Sequence, residues 1–434
     1  MSARVDWRAR TGSPLRGTLA IPGDKSISHR AVMLAALADG VSTIDGFLEG
    51  EDTRATAAIF SRMGVHIEIP SPSRRIVHGV GIDGLHAPDG ALDCGNAGTG
   101  MRLLAGLLAA QRFDSVLTGD DSLRKRPMRR VTEPLATMGA RIDTAAGGLP
   151  PLHIHGGQHL HGARHALDVA SAQVKSALLL AGLYAQGETE VVEPHPTRDY
   201  TERMLAALDV DIDFSPGYAR LRGGQRLRAT DVVVPADFSS AAFFLVAASI
   251  VPGSDLCLRA VGLNPRRTGL LHVLRHMGAD IEEVHAGRCG GEAVADLRVR
   301  HAQLRGVEVP QALVADMIDE FPALFIAAAC AEGPTVVRGA AELRVKESDR
   351  IAVMAEGLRA LGIRVDETPD GATIHPAPLH GGSVDSHADH RIAMAFAVAA
   401  QVAEGDVQIH DVANVATSFP GFDTLARGAG FGLE

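Results

Sequence analysis

At 434 residues the chain exceeds one conventional core, so two domains or one large repeat-built body are expected. A hydrophobic share of 46% with only 4% aromatics describes a globular protein of closely packed Ala-, Leu- and Val-rich helices and excludes a disordered one. The formal net charge of −10 comes without any dense Lys/Arg run, which argues against a nucleic-acid partner.

The longest apolar runs, such as AAFFLVAASIV (241–251), fall short of the roughly 18 residues of a membrane span, so no membrane partner is expected. The N-terminal stretch MSARVDWRARTGS lacks the apolar core of a signal peptide, and a cytoplasmic protein is expected. Cys94, Cys257, Cys289 and Cys330 are scattered, with no CxxC pair, which fits reduced thiols and gives no metal-ligand spacing.

In chain order, one sentence recurs. An Ala-rich helix is followed by Gly and a β-branched strand, then by a second helix that ends in Met-Gly-Ala or similar and leads into another strand. The first helices are SHRAVMLAALADG, TGMRLLAGLLAA, QVKSALLLAGLYAQG, SSAAFFLVAASIVPG, FPALFIAAACAEG and HRIAMAFAVAAQVAEG. The second helices end in FSRMGVHIEI, LATMGARIDT, LAALDVDIDF, LRHMGADIEE, LRALGIRVDE and LARGAGFGLE. Their turn positions, Gly64, Gly139, Asp209, Gly278, Gly362 and Gly430, recur at intervals of 68 to 84 residues, which marks six copies of one α/β unit. Three plus three gives two lobes with a boundary near VVVPADFSS, and the third copy, with Asp209 in place of Gly, is expected to turn differently.

What precedes each first helix is polar, small or charged: PGDKSISHR, DCGNAGTGMR, ASAQVKS, ADFSS, DMIDEFP and DSHADHR. Helix N-termini offer unpaired N–H groups and the positive end of the macrodipole, and several aimed at one region would trap anions. Lys25, Arg30, Arg102, Lys175 and Arg391 stand at these junctions, and guanidinium forks suit carboxylate and phosphate oxygens. Gly95, Gly98 and Gly100 would let the backbone approach an anion that a β-carbon would block. The stretch GNAGTGMR matches neither GxxxxGK[ST] nor GxGxxG. RVKESDR (344–350) and DDSLRKRPMRR (120–130) add positive charge, and Asp319 and Glu347 are candidate acid–base groups if they sit among these cations, or helix caps if they do not.

Together PGDKSISHRAVMLAALA, GNAGTGMR, RKRPM, SAQVKSALLLAG, DMIDEFP, LRVKESDR and DHRIAMAFAVAA resemble the 5-enolpyruvylshikimate-3-phosphate synthase family, the 3-phosphoshikimate 1-carboxyvinyltransferases, from about residue 12 to 425. The resemblance implies an α/β (α+β) enolpyruvyl transferase fold, an inside-out α/β barrel of two lobes with three βαβαββ-type repeats each: residues 22–236, and 1–21 with 237–434, around a cleft that holds the site. It implies transfer of the carboxyvinyl group of phosphoenolpyruvate to the 5-hydroxyl of shikimate 3-phosphate in the shikimate pathway to chorismate and aromatic amino acids, with release of phosphate, no metal and no organic cofactor; separately, a monomer is expected.

By the same resemblance Lys25 contacts both substrates. Ser26, Arg30, Ser171, Ala172, Gln173, Arg198 and Tyr200 hold shikimate 3-phosphate, with Asp319 and Lys346 near its reacting hydroxyl. Asn96, Gly98, Thr99, Arg126, Gln173, Arg350, His390 and Arg391 border phosphoenolpyruvate. Asp319 would take the hydroxyl proton, and Glu347 would exchange a proton at the methylene carbon as the tetrahedral intermediate forms and collapses. Ser418 stands where many members carry a Lys. The alternative is a sister carboxyvinyl transferase acting on UDP-N-acetylglucosamine; that group commonly places a Cys in the loop corresponding to TGDDSLRKRP, which has none.

Overall fold

A computed structural model describes residues 5–434, so the first four residues behind the expectation about targeting lie outside it. By contacts the chain divides into two compact units, Gly23–Val234, and Met1–Pro22 with Pro235–Glu434. No helix among the described residues is long and apolar enough to cross a membrane.

Six inner helices carry the two cores. Lys25–Leu37, Gly98–Leu108 and Ala172–Gly182 belong to the first unit; Phe238–Ile250, Phe321–Ala329 and His390–Ala399 belong to the second. Each is buried on nearly every face, as helices without a polar stripe must be. Small side chains set their spacing. A β-carbon on Gly106 would lie 2.0 Å from the Ala177 carbonyl oxygen, so the second and third helices meet backbone to backbone there and only Gly fits.

The sheets repeat one order: a parallel pair, then two antiparallel partners. In the first, Leu227–Arg228 runs parallel to Ala38–Asp45, which pairs with Arg74–Val80, which pairs with His66–Ser71. Leu92–Asp93, Ser115–Thr118, Leu149–His155 and Arg141–Ala145 follow it, as do Arg164–Ala166, Glu188–Val192, Tyr218–Arg222 and Ile212–Ser215. In the other unit Arg16–Ala20 opens the fourth sheet beside Asp255–Gly262, and Trp7–Arg10 lies inside the sixth between Glu404–His410 and Gly432–Leu433. The fifth sheet keeps only three strands, and its parallel edge shrinks to two isolated bridges, Arg305 with Glu332 and Glu308 with Val336. The six sheets remain separate, so the helices are screened by individual sheets and no closed barrel forms among the described residues.

The six repeats end their second helices alike. In each, the turn residue donates back three positions and its successor donates back five, for example Gly64 to Ser61 with Val65 to Phe60, and Gly430 to Arg427 with Phe431 to Ala426. Asp209 corrects the expectation of a different turn. It adopts φ 64° and makes the same two bonds, Asp209 to Ala206 and Val210 to Leu205, because Asp tolerates the left-handed region better than most residues with a β-carbon.

Candidate active site

Within the Gly23–Val234 unit the three inner-helix starts are tied together by side chains. Asp24 caps the first helix through the Ile27 amide at 2.8 Å, and its other oxygen accepts from the Tyr200 hydroxyl at 3.4 Å. Arg30, one turn in and buried, donates to Thr201 Oγ1 at 2.7 Å, Ser176 Oγ at 2.8 Å and the Ser26 carbonyl at 2.9 Å. All three partners are neutral. Burial and then the neighbouring Arg198 lower its pKa to about 10, so a bound anion would relieve a real electrostatic cost. Ser26, Arg30, Thr99, Ala172, Gln173, Arg198 and Tyr200 line one pocket on this unit.

The second helix, Gly98–Leu108, starts at Ala97 without a side-chain cap, and its start is held from two sides. Gln173 Nε2 donates to Thr99 Oγ1 at 2.8 Å while its Oε1 accepts from Arg102 at 2.6 Å. Arg126 Nη2 donates to Asn96 Oδ1 at 2.8 Å, and Asn96 donates to Asp120 at 2.7 Å. A β-carbon on Gly98 would sit 3.0 Å from Arg126 Nη1 and 3.3 Å from Arg102 Nη1, so glycine gives both guanidinium tips their room. Lys25 pairs with Asp52 at 3.1 Å, and Ser171 caps the third helix at 3.4 Å through the Val174 amide. Arg124 turns to Asp121 at 2.5 Å, away from the Asn96 cluster that Arg126 joins.

One junction cation is spent elsewhere. Lys175 is buried between Glu193 at 2.7 Å and Glu202 at 2.8 Å, and is not offered to a ligand. Burial works against its charge, but the two carboxylates outweigh it and raise the lysine pKa. Burial also raises the pKa of Glu202, against the pull of Lys175.

Beside Lys25 and Arg30 the fully buried His29 bonds Thr56 Oγ1 through Nδ1 at 2.8 Å. Burial first, then Lys25 and Arg30, push its pKa down to about 3. The unfolded imidazole protonates near pH 6.5 while the folded one stays neutral, so stability is full above that value and lost as the pH falls toward 3. Urea unfolding at pH 7 and pH 5 is expected to show a loss of about 2 kcal/mol from this residue, and His29→Gln is expected to remove that part of the pH slope.

In the other unit Asp319 and Glu347 are not helix caps. Asp319 Oδ2 accepts from Arg267 at 3.0 Å, and its Oδ1 lies 3.4 Å from Lys346 Nζ and 3.7 Å from Arg350 Nη1. Arg350 also reaches Glu347 at 2.7 Å and Asp389 at 2.8 Å. Burial opposes the arginine's charge, yet Asp389, Glu347 and Asp319 together hold it protonated well above its ordinary value. Asp389 caps the sixth helix through the Arg391 amide at 3.0 Å, which fixes His390 and Arg391 in its first turn, both buried. No carboxylate lies within ion-pair distance of Arg391 among the described residues. Ser239 donates to Glu320, so here too three helix starts are laced together.

Ser418 is buried behind the 3-10 turn Ala413–Thr417. Arg344 is anchored to Asp349 and to the Thr368 and Pro369 carbonyls, which makes it a structural strap. Asp52, Arg267 and Asp389 complete these clusters and escape a reading of motifs alone. Asp389 lay inside DSHADHR, whereas Asp52 and Arg267 act from the second-helix face of their repeats, where the pattern carries no signal.

The profile of EPSP synthase (3-phosphoshikimate 1-carboxyvinyltransferase) matches residues 9–425. The chain is 76% identical over 433 residues to a 3-phosphoshikimate 1-carboxyvinyltransferase of Xanthomonas euvesicatoria pv. vesicatoria, covering 100% of this chain and 98% of the relative. The chain belongs to the EPSP synthase family. A relative with the same description in Xanthomonas oryzae pv. oryzae is 76% identical over 428 residues, 99% of this chain and 97% of that one. Among solved structures, the EPSP synthase of Acinetobacter baumannii superposes with a TM-score of 0.89 at 51% identity, covering 99% of both chains. The enolpyruvyl transferase NikO of Streptomyces tendae, with a TM-score of 0.79 at 19% identity over 99% of this chain and 98% of that one, shares the fold. One cluster thus holds Arg30 among neutral hydrogen-bond partners, and the other holds Asp319 beside Lys346.

Proposed function

We propose that this enzyme transfers the enolpyruvyl group of phosphoenolpyruvate to the 5-hydroxyl of shikimate 3-phosphate, giving 5-enolpyruvylshikimate 3-phosphate and phosphate. The observation that carries the reading is the likeness, at 76% identity along the whole chain, to relatives that bear the name of this activity. The geometry supports it. Arg30 beside Ser26, Gln173, Arg198 and Tyr200 suits a phosphorylated ring acid. By the family resemblance we assign Asn96, Gly98, Thr99 and Arg126, and likewise Arg350, His390 and Arg391, to phosphoenolpyruvate, and Lys25 to both reactants.

The reaction is an addition followed by an elimination. The hydroxyl oxygen bonds to C2 of phosphoenolpyruvate, its proton passes to Asp319 with Lys346 alongside, and C3 gains a proton from Glu347. In the second step C3 returns a proton to Glu347, the C2–phosphate oxygen bond breaks, and phosphate leaves with the proton that Asp319 had taken, which restores both carboxyl groups to their starting states. The cations act mainly by stabilising charge that grows on the phosphate and carboxylate oxygens. Localisation in the cytoplasm and a monomeric state belong to the same proposal.

Purified protein given phosphoenolpyruvate and shikimate 3-phosphate is expected to release phosphate, and none is expected with UDP-N-acetylglucosamine as acceptor. Release with the sugar nucleotide alone would overturn the proposal, as would release with neither.

A further inference from the structure

Three ligand-type side chains that the reaction leaves unused stand together on the outward face of the first sheet. Strands His66–Ser71 and Arg74–Val80 form an antiparallel hairpin in which His66 lies directly opposite His78. Side chains alternate along a strand, so Glu68, two residues on from His66, shares their face. The register therefore brings two imidazoles and a carboxylate together before any rotamer is chosen.

The distances agree. His78 Nε2 is 2.6 Å from Glu68 Oε1, His66 Nε2 is 3.9 Å from the same oxygen, and the two rings have centroids 4.9 Å apart. One ligand atom of each residue lies within 4.8 Å of the other two. A tetrahedral zinc ion with bonds of about 2.0–2.1 Å needs neighbouring ligand atoms roughly 3.3 Å apart. The observed 2.6 and 3.9 Å bracket that value, so small side-chain rotations close the set without moving the backbone. All three side chains are well exposed, at 71%, 45% and 41% for His66, Glu68 and His78, which leaves a path for the ion and a fourth position for water.

We propose that this hairpin binds one borderline-soft divalent cation, zinc(II), through His66 Nε2, His78 Nε2 and a Glu68 oxygen. Two imidazoles and one carboxylate suit zinc; magnesium and calcium prefer oxygen-only shells. Because the site staples neighbouring strands, the ion stabilises the hairpin against local opening by mass action on the folded form. The site is separate from the residues assigned to the reaction, so its occupancy leaves turnover unchanged.

Calorimetric titration of chelator-treated full-length protein with zinc chloride is expected to show one site. His66→Ala and His78→Ala are each expected to weaken it by about tenfold or more, and Glu68→Gln by less. These positions are exposed, and phosphate release equal to that of the parent protein reports that the variants are folded. X-ray absorption of the zinc-loaded parent is expected to show two imidazole nitrogens with oxygen in the remaining positions. No heat of binding in the parent protein would overturn the proposal, and so would equal affinity in the His66→Ala/His78→Ala double variant.

Discussion

Asp319→Asn is expected to lower kcat by about a thousandfold while KM for either substrate moves by no more than severalfold, the loss that removing a general base brings. The substitution keeps the shape of the side chain and one acceptor oxygen for Arg267, whose Nη1 lies 3.0 Å from Asp319. What disappears is the charge opposite Lys346 and Arg350, and with it the capacity to take a proton. Initial rates over a matrix of both substrates separate the two roles. If Asp319 only bound substrate, KM would rise and kcat would hold; that outcome would remove it from proton transfer. Asp319→Ala is a poorer probe, because it also removes the acceptor that Arg267 and Lys346 share and so mixes lost packing and charge with lost proton transfer.

The second large effect is expected from Lys175→Met, which should cost about 3–5 kcal/mol of stability at neutral pH, since Glu193 and Glu202 would be left buried without their cation. The deficit should depend on pH. Burial already raises the pKa of Glu202, and without the lysine's opposing pull it rises further above its unfolded value. A raised folded pKa means that the variant is least impaired below the unfolded carboxylate pKa and loses stability as the pH rises. Urea midpoints at pH 5 and pH 8 check this; a deficit that is flat across the range would show that no carboxylate takes up a proton. The same variant should raise KM for shikimate 3-phosphate more than KM for phosphoenolpyruvate. Glu193 binds the Thr197 amide and hydroxyl, and so holds the segment that carries Arg198 and Tyr200 to the pocket.

The repeat architecture was legible because it is written locally. Each copy spends a left-handed residue where its second helix stops, and each inner helix lacks a polar face, so the period shows without an alignment. Asp209 was misread because the pattern was taken as glycine, when the physical requirement is a positive φ that Asp can also meet. Lys175 was misread for the opposite reason. Its position near a helix start matches that of the anion-facing cations, and only the fold reveals Glu193 and Glu202, 18 and 27 residues further on, closing over it. The same limit hid Asp52 and Arg267. Long-range pairing leaves no periodic trace, whereas caps and turns do. The hairpin cluster was missed because HIEI reads as a strand end, and His78 becomes its neighbour only once the register is known.

The borrowed strands have a consequence for synthesis. Gly23–Val234 is one uninterrupted stretch, whereas Trp7–Arg10 completes the sixth sheet only beside residues 404–433. At translation speeds of about 5–20 residues per second, that leading segment waits roughly 20–80 s on the ribosome before its partners exist. The inserted stretch can fold meanwhile. The unit that holds Trp7–Arg10 is therefore completed only after residues 404–433 are made, and a nascent chain that stalls before them exposes an orphaned strand to chaperones and proteases.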